Sequence, residues 1–94
     1  MNFLRLITFT EEGLKNLGKM SEYLAESRKI IERNDCKLLN TWKVLGNYNL
    51  VALIDAPDAM VATKVSTLIS ALGYSRSETL PCFPADEFAS VVKN

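Results

Sequence analysis

Lys37-Leu38-Leu39-Asn40-Thr41-Trp42-Lys43-Val44-Leu45-Gly46-Asn47-Tyr48-Asn49-Leu50-Val51-Ala52-Leu53-Ile54-Asp55 is the stretch whose reading decides the fold. Two runs rich in β-formers, Lys37 to Leu45 and Asn49 to Asp55, flank Gly46-Asn47-Tyr48-Asn49. Gly and Asn tolerate the positive φ that a tight hairpin turn demands. With Asn47 and Tyr48 as the central pair, Leu45 faces Leu50, Lys43 faces Ala52 and Thr41 faces Ile54. The other face then pairs Val44 with Val51, Trp42 with Leu53 and Asn40 with Asp55. Leu50 to Ile54 is apolar on both faces, so this strand is expected in the middle of its sheet, covered on both sides.

Reading upstream, Phe3 to Phe9 forms a first strand. Thr10 caps a helix start, and Glu11 and Glu12 place negative charge on its first amides. Gly13 and Gly18 make Glu11 to Lys19 a short or irregular helix. Ser21 offers a second cap, ahead of a stripe of Met20, Tyr23, Leu24, Ile30 and Ile31 at helical spacing. Asn34 is expected as the left-handed stop.

Downstream, Pro57 and Asp58 open a third helical stretch with Val61, Val65, Leu68, Ile69 and Leu72 on one side, stopped by Gly73. Ser75 to Phe83 reads as a last strand, with Pro81 marking an edge or a strand end. Pro84-Ala85-Asp86-Glu87 starts a short C-terminal helix whose Phe88, Val91 and Val92 are expected to face inward.

The order is β-α-β-β-α-β plus a helix, an α+β chain of ferredoxin-like pattern. That pattern gives a four-stranded antiparallel sheet with both main helices on one face. The second face stays bare, and the two-sided apolar strand requires a cover for it. The expected cover is a second copy of the chain, making a homodimer or higher homo-oligomer through the sheet face.

Size and composition narrow the field. The 94 residues are expected to form a single domain, residues 1–94. Net charge is zero with both signs interspersed, and no basic stripe exists for a phosphate backbone, so no nucleic acid partner is expected. The apolar run Leu50 to Ile54 is too short for a bilayer, and Met1 to Ile7 lacks the marks of a signal peptide. The expected location is the cytoplasm, without a membrane partner. The chain has no His, and Cys36 and Cys82 stand far apart, so no metal site and no cofactor are expected. Both thiols read as buried and structural.

Several short motifs point to a family. Thr10-Glu11-Glu12-Gly13 matches a T-x-x-G after strand one, and Gly46-Asn47-Tyr48-Asn49-Leu50-Val51-Ala52 matches G-x-Y-D-x-V-A with Asn49 in place of the Asp. Ala56-Pro57-Asp58, Glu78-Thr79-Leu80 and Phe83-Pro84-Ala85-Asp86-Glu87-Phe88 follow in order. In these the chain resembles the GYD domain family almost end to end. The resemblance implies a dimeric α/β barrel of the ferredoxin-like type. It implies no particular reaction, because relatives of that fold include cofactor-free monooxygenases, isomerases, haem-processing enzymes and non-catalytic ligand binders.

Five residues are candidates for a ligand site. Tyr48 is an aromatic residue in a turn, fit for a lid, a subunit contact or simple packing on its own hairpin. Trp42, mid-strand, would stack on a ligand or bury area at an interface. Asn49 is a carboxylate replaced by an amide, or a turn residue for which either serves. Arg76 shares a strand face with Glu78 and could orient an anion or form a subunit ion pair. Arg5 lies on the face of Phe3, Ile7 and Phe9, where a charge must reach water, a partner or a ligand. No catalytic residue is assignable. Two readings follow: a homo-oligomeric ligand-binding or protein-interaction domain, or a cofactor-independent monooxygenase or isomerase acting on a small hydrophobic or aromatic substrate.

Overall fold

A computed structural model describes residues 1–93. Its strands are β1 (Asn2–Phe9), β2 (Lys37–Lys43), β3 (Leu50–Asp55) and β4 (Ser75–Cys82). Its helices are α1 (Glu11–Lys15), α2 (Met20–Arg33), α3 (Ala59–Ser70) and α4 (Ala85–Val91), with a 3₁₀ turn at Leu17–Lys19. The four strands form one antiparallel sheet in the order β2-β3-β1-β4. The βαββαβ order and the central place of β3 agree with the sequence.

The period-2 pattern of β1 sorts its residues onto two faces. Phe3, Arg5, Ile7 and Phe9 are buried. With Leu50, Ala52 and Ile54 of β3 they form the floor under α2 and α3. From above, α2 contributes Tyr23, Ile30 and Ile31, and α3 contributes Ala62, Val65 and Ile69. Ile54, Val65 and Ile69 are wholly buried, each stabilising the fold by about 1.5–3 kcal/mol. Leu24 and Leu68, read as stripe residues, sit at the margins and stay 38% and 40% exposed.

The T-x-x-G motif fastens the end of β1 to the start of β4. Thr10 Oγ1 accepts from the Gly13 amide and donates to the Gly73 carbonyl, while the Thr10 amide donates to the Tyr74 carbonyl. This brings the Tyr74 oxygen to 2.1 Å from where a Cβ on Gly13 would stand. Only glycine fits there. Asp58 caps α3 through a bond from the Val61 amide, and Gly73, at φ +91°, turns the chain out of it, as expected.

Four expectations need correction. The hairpin register is displaced by two residues: Lys43 pairs with Leu50, Trp42 with Val51 and Thr41 with Ala52. The turn is a wider loop, Val44 to Asn49, in which only Gly46 takes positive φ. Because the displacement is even, each side chain keeps its face. A bulge between Leu38 and Asn40 then resets the pairing. Ser21 does not cap α2, which begins at Met20 behind Lys19 with no side-chain cap. The 3₁₀ turn runs directly into the helix, so no free first turn is left for Ser21 to serve. Asp35, at φ +59°, rather than Asn34, takes the left-handed position after α2; Asn34 instead donates its side-chain amide to the Ile30 carbonyl.

The fourth correction concerns the C-terminus. Phe88, Val91 and Val92 do not face inward; they are 64%, 77% and 56% exposed. Every residue of α4 is exposed. The radius of gyration is 14.4 Å, against about 12 Å for a compact chain of this length, and the molecule extends over 53 × 30 × 17 Å. Residues 83–92 form an arm standing off the body. Cys82, at the root of the arm, is only partly buried, unlike Cys36.

Candidate functional site

The two faces of the sheet present different chemistry. On the face away from the helices, Trp42, Val51, Leu6 and Glu78 follow one another across the four strands, with Asn40, Leu53, Leu4 and Leu80 in the row beside them. None of these residues is buried. Trp42 is 44% and Leu80 43% exposed. Tyr48 reaches from the hairpin loop to β4, where its hydroxyl donates to Glu78 Oε2 at 3.1 Å. That bond pushes the Tyr48 phenol above its ordinary pKa. Arg76 stands on the same face, opposite Thr8 and exposed.

On the helix face, Arg5 is 2% exposed. Its Nε–H donates to Ser66 Oγ at 3.3 Å and an Nη2–H to Ser77 Oγ at 3.2 Å. Ser66 is tied in turn to Thr79 at 2.6 Å. No carboxylate pairs with Arg5 among the described residues. Burial pulls the guanidinium below its usual pKa, which the neighbouring Tyr23 partly opposes. Arg5 is at the floor of a cavity of about 180 Å³ between α2 and the sheet, walled by Ile7, Ile31, Leu38, Leu50 and Ala52. Arg28 and Ser27 of α2 also line it, and no Asp or Glu does.

The sequence candidates therefore separate. Tyr48, Trp42 and Arg76 share the open face; Arg5 lies on the other side of the sheet, in the cavity. Asn49 belongs to neither. Its Oδ1 accepts from the Phe9 backbone amide at 2.8 Å while its own backbone N–H donates to the Ile7 carbonyl at 2.8 Å. It carries the β3–β1 pairing one residue past the ladder, a role an Asp carboxylate would fill equally. Sequence reasoning missed Ser27 and Ser66. Both interrupt apolar helix stripes, Ser27 four residues from Tyr23 and from Ile31, Ser66 beside Val65 and three before Ile69. A hydroxyl set in such a stripe was the available signal.

The close packing of Gly13 on Tyr74, the Asn49 bridge and the Asp58 cap are the structural counterparts of the first three of the five motif clusters. Residues 3–92 match the GYD domain. The chain belongs to the GYD domain family. A protein of Thermus thermophilus, named glutamine synthetase and cystathionine beta-lyase binding protein, is 26% identical to this GYD domain over 92 residues, covering 97% of each chain. Among the described residues no helix is long and apolar enough to cross a membrane, and no cluster of His, Cys, Asp or Glu could hold a metal ion.

Proposed function

We propose that this GYD domain is a homodimeric, non-catalytic protein-interaction module. The observation that carries the reading is the bare apolar sheet face together with the unburied apolar arm. Two copies packed face to face form the dimeric α/β barrel arrangement. Strand spacing of about 4.8 Å and rise of about 3.3 Å per residue give the face roughly 500 Å² of projected area. A stable interface needs about 800 Å² from each partner. The arm, with Phe83, Phe88, Val91 and Val92 exposed, adds further apolar area when it lies across the other copy. Trp42 and Tyr48 then serve as interface anchors, as large aromatic side chains commonly do.

The name of the Thermus thermophilus relative supports protein partners for this chain as well. The cavity supports a non-catalytic role, because Arg5, Tyr23 and Arg28 are the titratable groups lining it. No His, Cys, Asp or Glu, the side chains that most often serve as general base or nucleophile, lines it. Cys36 and Cys82 are both unpaired, which fits a reducing cytoplasmic setting.

Light scattering on the purified chain, alone and mixed with glutamine synthetase and cystathionine beta-lyase from the same host, tests the proposal. The chain alone should give twice its 10.5 kDa mass, and one mixture should give a heavier species containing both proteins. A monomer at micromolar concentration refutes the dimer. Failure to join either enzyme removes the support drawn from the relative.

A further inference from the structure

Arg5 is retained in a place where a charge is costly. An ion removed from water loses its solvation, and only close pairing offsets that loss. Here two hydroxyls take two of the five guanidinium N–H groups. Replacing such a side chain by an apolar one commonly stabilises a fold. A second polar group lining the same cavity is also unfulfilled. Ser27 is 7% exposed, and its Oγ has no hydrogen-bond partner. Serine in a helix usually bonds back to the carbonyl one turn earlier; Ser27 does not, and it lines the same cavity. Arg28 adds a second positive charge from α2, exposed to solvent.

The remaining walls are mostly aliphatic, with Tyr23 and Thr41 among them. The cavity, about 180 Å³, exceeds the roughly 150 Å³ of an apolar cavity that admits benzene. It is therefore large enough for a ring or a branched chain of that size. With Nε–H and one Nη2–H given to Ser66 and Ser77, the free Nη1–H and second Nη2–H form a planar fork that suits a carboxylate. A phosphate dianion would bring more charge than one buried Arg offsets, and the aliphatic walls would leave its outer oxygens unsolvated. We propose that this cavity binds a small monocarboxylate with an apolar body about the size of a six-membered ring, its oxygens on Arg5 and Ser27. This goes beyond the dimer proposal and rests on different residues.

Heteronuclear NMR of the full chain, including the arginine Nε–H signals, provides the test. The probes are benzoate, isovalerate, benzyl alcohol and inorganic phosphate. Benzoate or isovalerate should give saturable shifts at Arg5 Nε–H and at the amides of Ser27 and Ala52. Benzyl alcohol and phosphate should bind roughly tenfold more weakly or not at all. Ser27→Ala removes an unpartnered hydroxyl and should leave the fold intact while weakening carboxylate binding roughly fivefold. Arg28→Glu, at an exposed position, should weaken it too. The proposal is overturned if neither carboxylate shifts the cavity signals, if benzyl alcohol binds as tightly as benzoate, or if Ser27→Ala leaves the affinity unchanged. None of these readouts depends on how many chains associate.

Discussion

Gly13 sets two effects against each other at one residue. Alanine favours a helix over glycine by about 1 kcal/mol. At this position its Cβ would meet the Tyr74 carbonyl oxygen at 2.1 Å, and the T-x-x-G clamp leaves neither backbone free to retreat. Overpacking of this kind costs about 1–3 kcal/mol, so Gly13→Ala should lose about 2 kcal/mol in urea denaturation. Gly18→Ala is the control, because nothing lies within 4 Å of its Cβ position. It should gain about 0.5 kcal/mol by restricting the unfolded chain. Equal effects at the two sites would remove the clamp from the account. Asn49 permits a similar comparison. Asn49→Asp keeps an acceptor for the Phe9 amide and should leave stability within about 0.5 kcal/mol, whereas Asn49→Ala should lose about 1–2 kcal/mol. Tyr48 carries a pH signature. Its phenol is raised by the bond to Glu78, so the folded state favours the protonated form. The associated stability is present below the ordinary tyrosine pKa of about 10 and is lost as pH rises past it. NMR titration of the assigned Tyr48 ring should show its phenol ionising late, and Glu78→Ala should return it toward the normal range.

At the scale of elements, most of the chain was readable because each signal was local. Period-2 burial in β1, the Asp58 cap and the Gly73 stop need only a few neighbouring residues. What escaped was what depends on distant partners. The hairpin register is fixed by Asn49 bonding to Ile7 and Phe9, forty residues upstream, and no rule for two-residue turns contains that constraint. The start of α2 is likewise set by the 3₁₀ turn before it. For the candidate site, Arg5 was legible as a charge on a buried face, but its companions Ser27, Ser66 and Ser77 come from three other elements. The inward face assigned to α4 was read from its apolar spacing, which is real. Spacing identifies a face that wants burial and does not say in which molecule. A seven-residue helix is marginal by itself in water. Phe88→Glu with Val91→Glu should therefore leave the sheet and main helices intact by circular dichroism, weaken self-association at least about tenfold, and reduce the helical signal only slightly.

For the whole molecule, the proposed dimer links stability to concentration. If folding is coupled to association, the melting temperature rises with protein concentration by mass action. Calorimetry over a hundredfold range should show that rise for the natural chain. The Phe88→Glu, Val91→Glu chain should melt below the natural chain at every concentration. A natural chain indifferent to concentration would detach the open face from any role in self-association.

The outer strands β2 and β4 bear on what kind of assembly is open to the protein. Each leaves one row of backbone groups unpaired, a template on which further strands could add without limit. The bulge at Leu39 bends one margin out of register, and Pro81 withholds a donor from the other. Lateral growth, which would turn the sheet into a filament, is thereby discouraged on both sides. In the proposed dimer the contact is then left to the open sheet face, which a single two-fold partner covers. The proposed dimer would accordingly be a finite pair rather than a fibre.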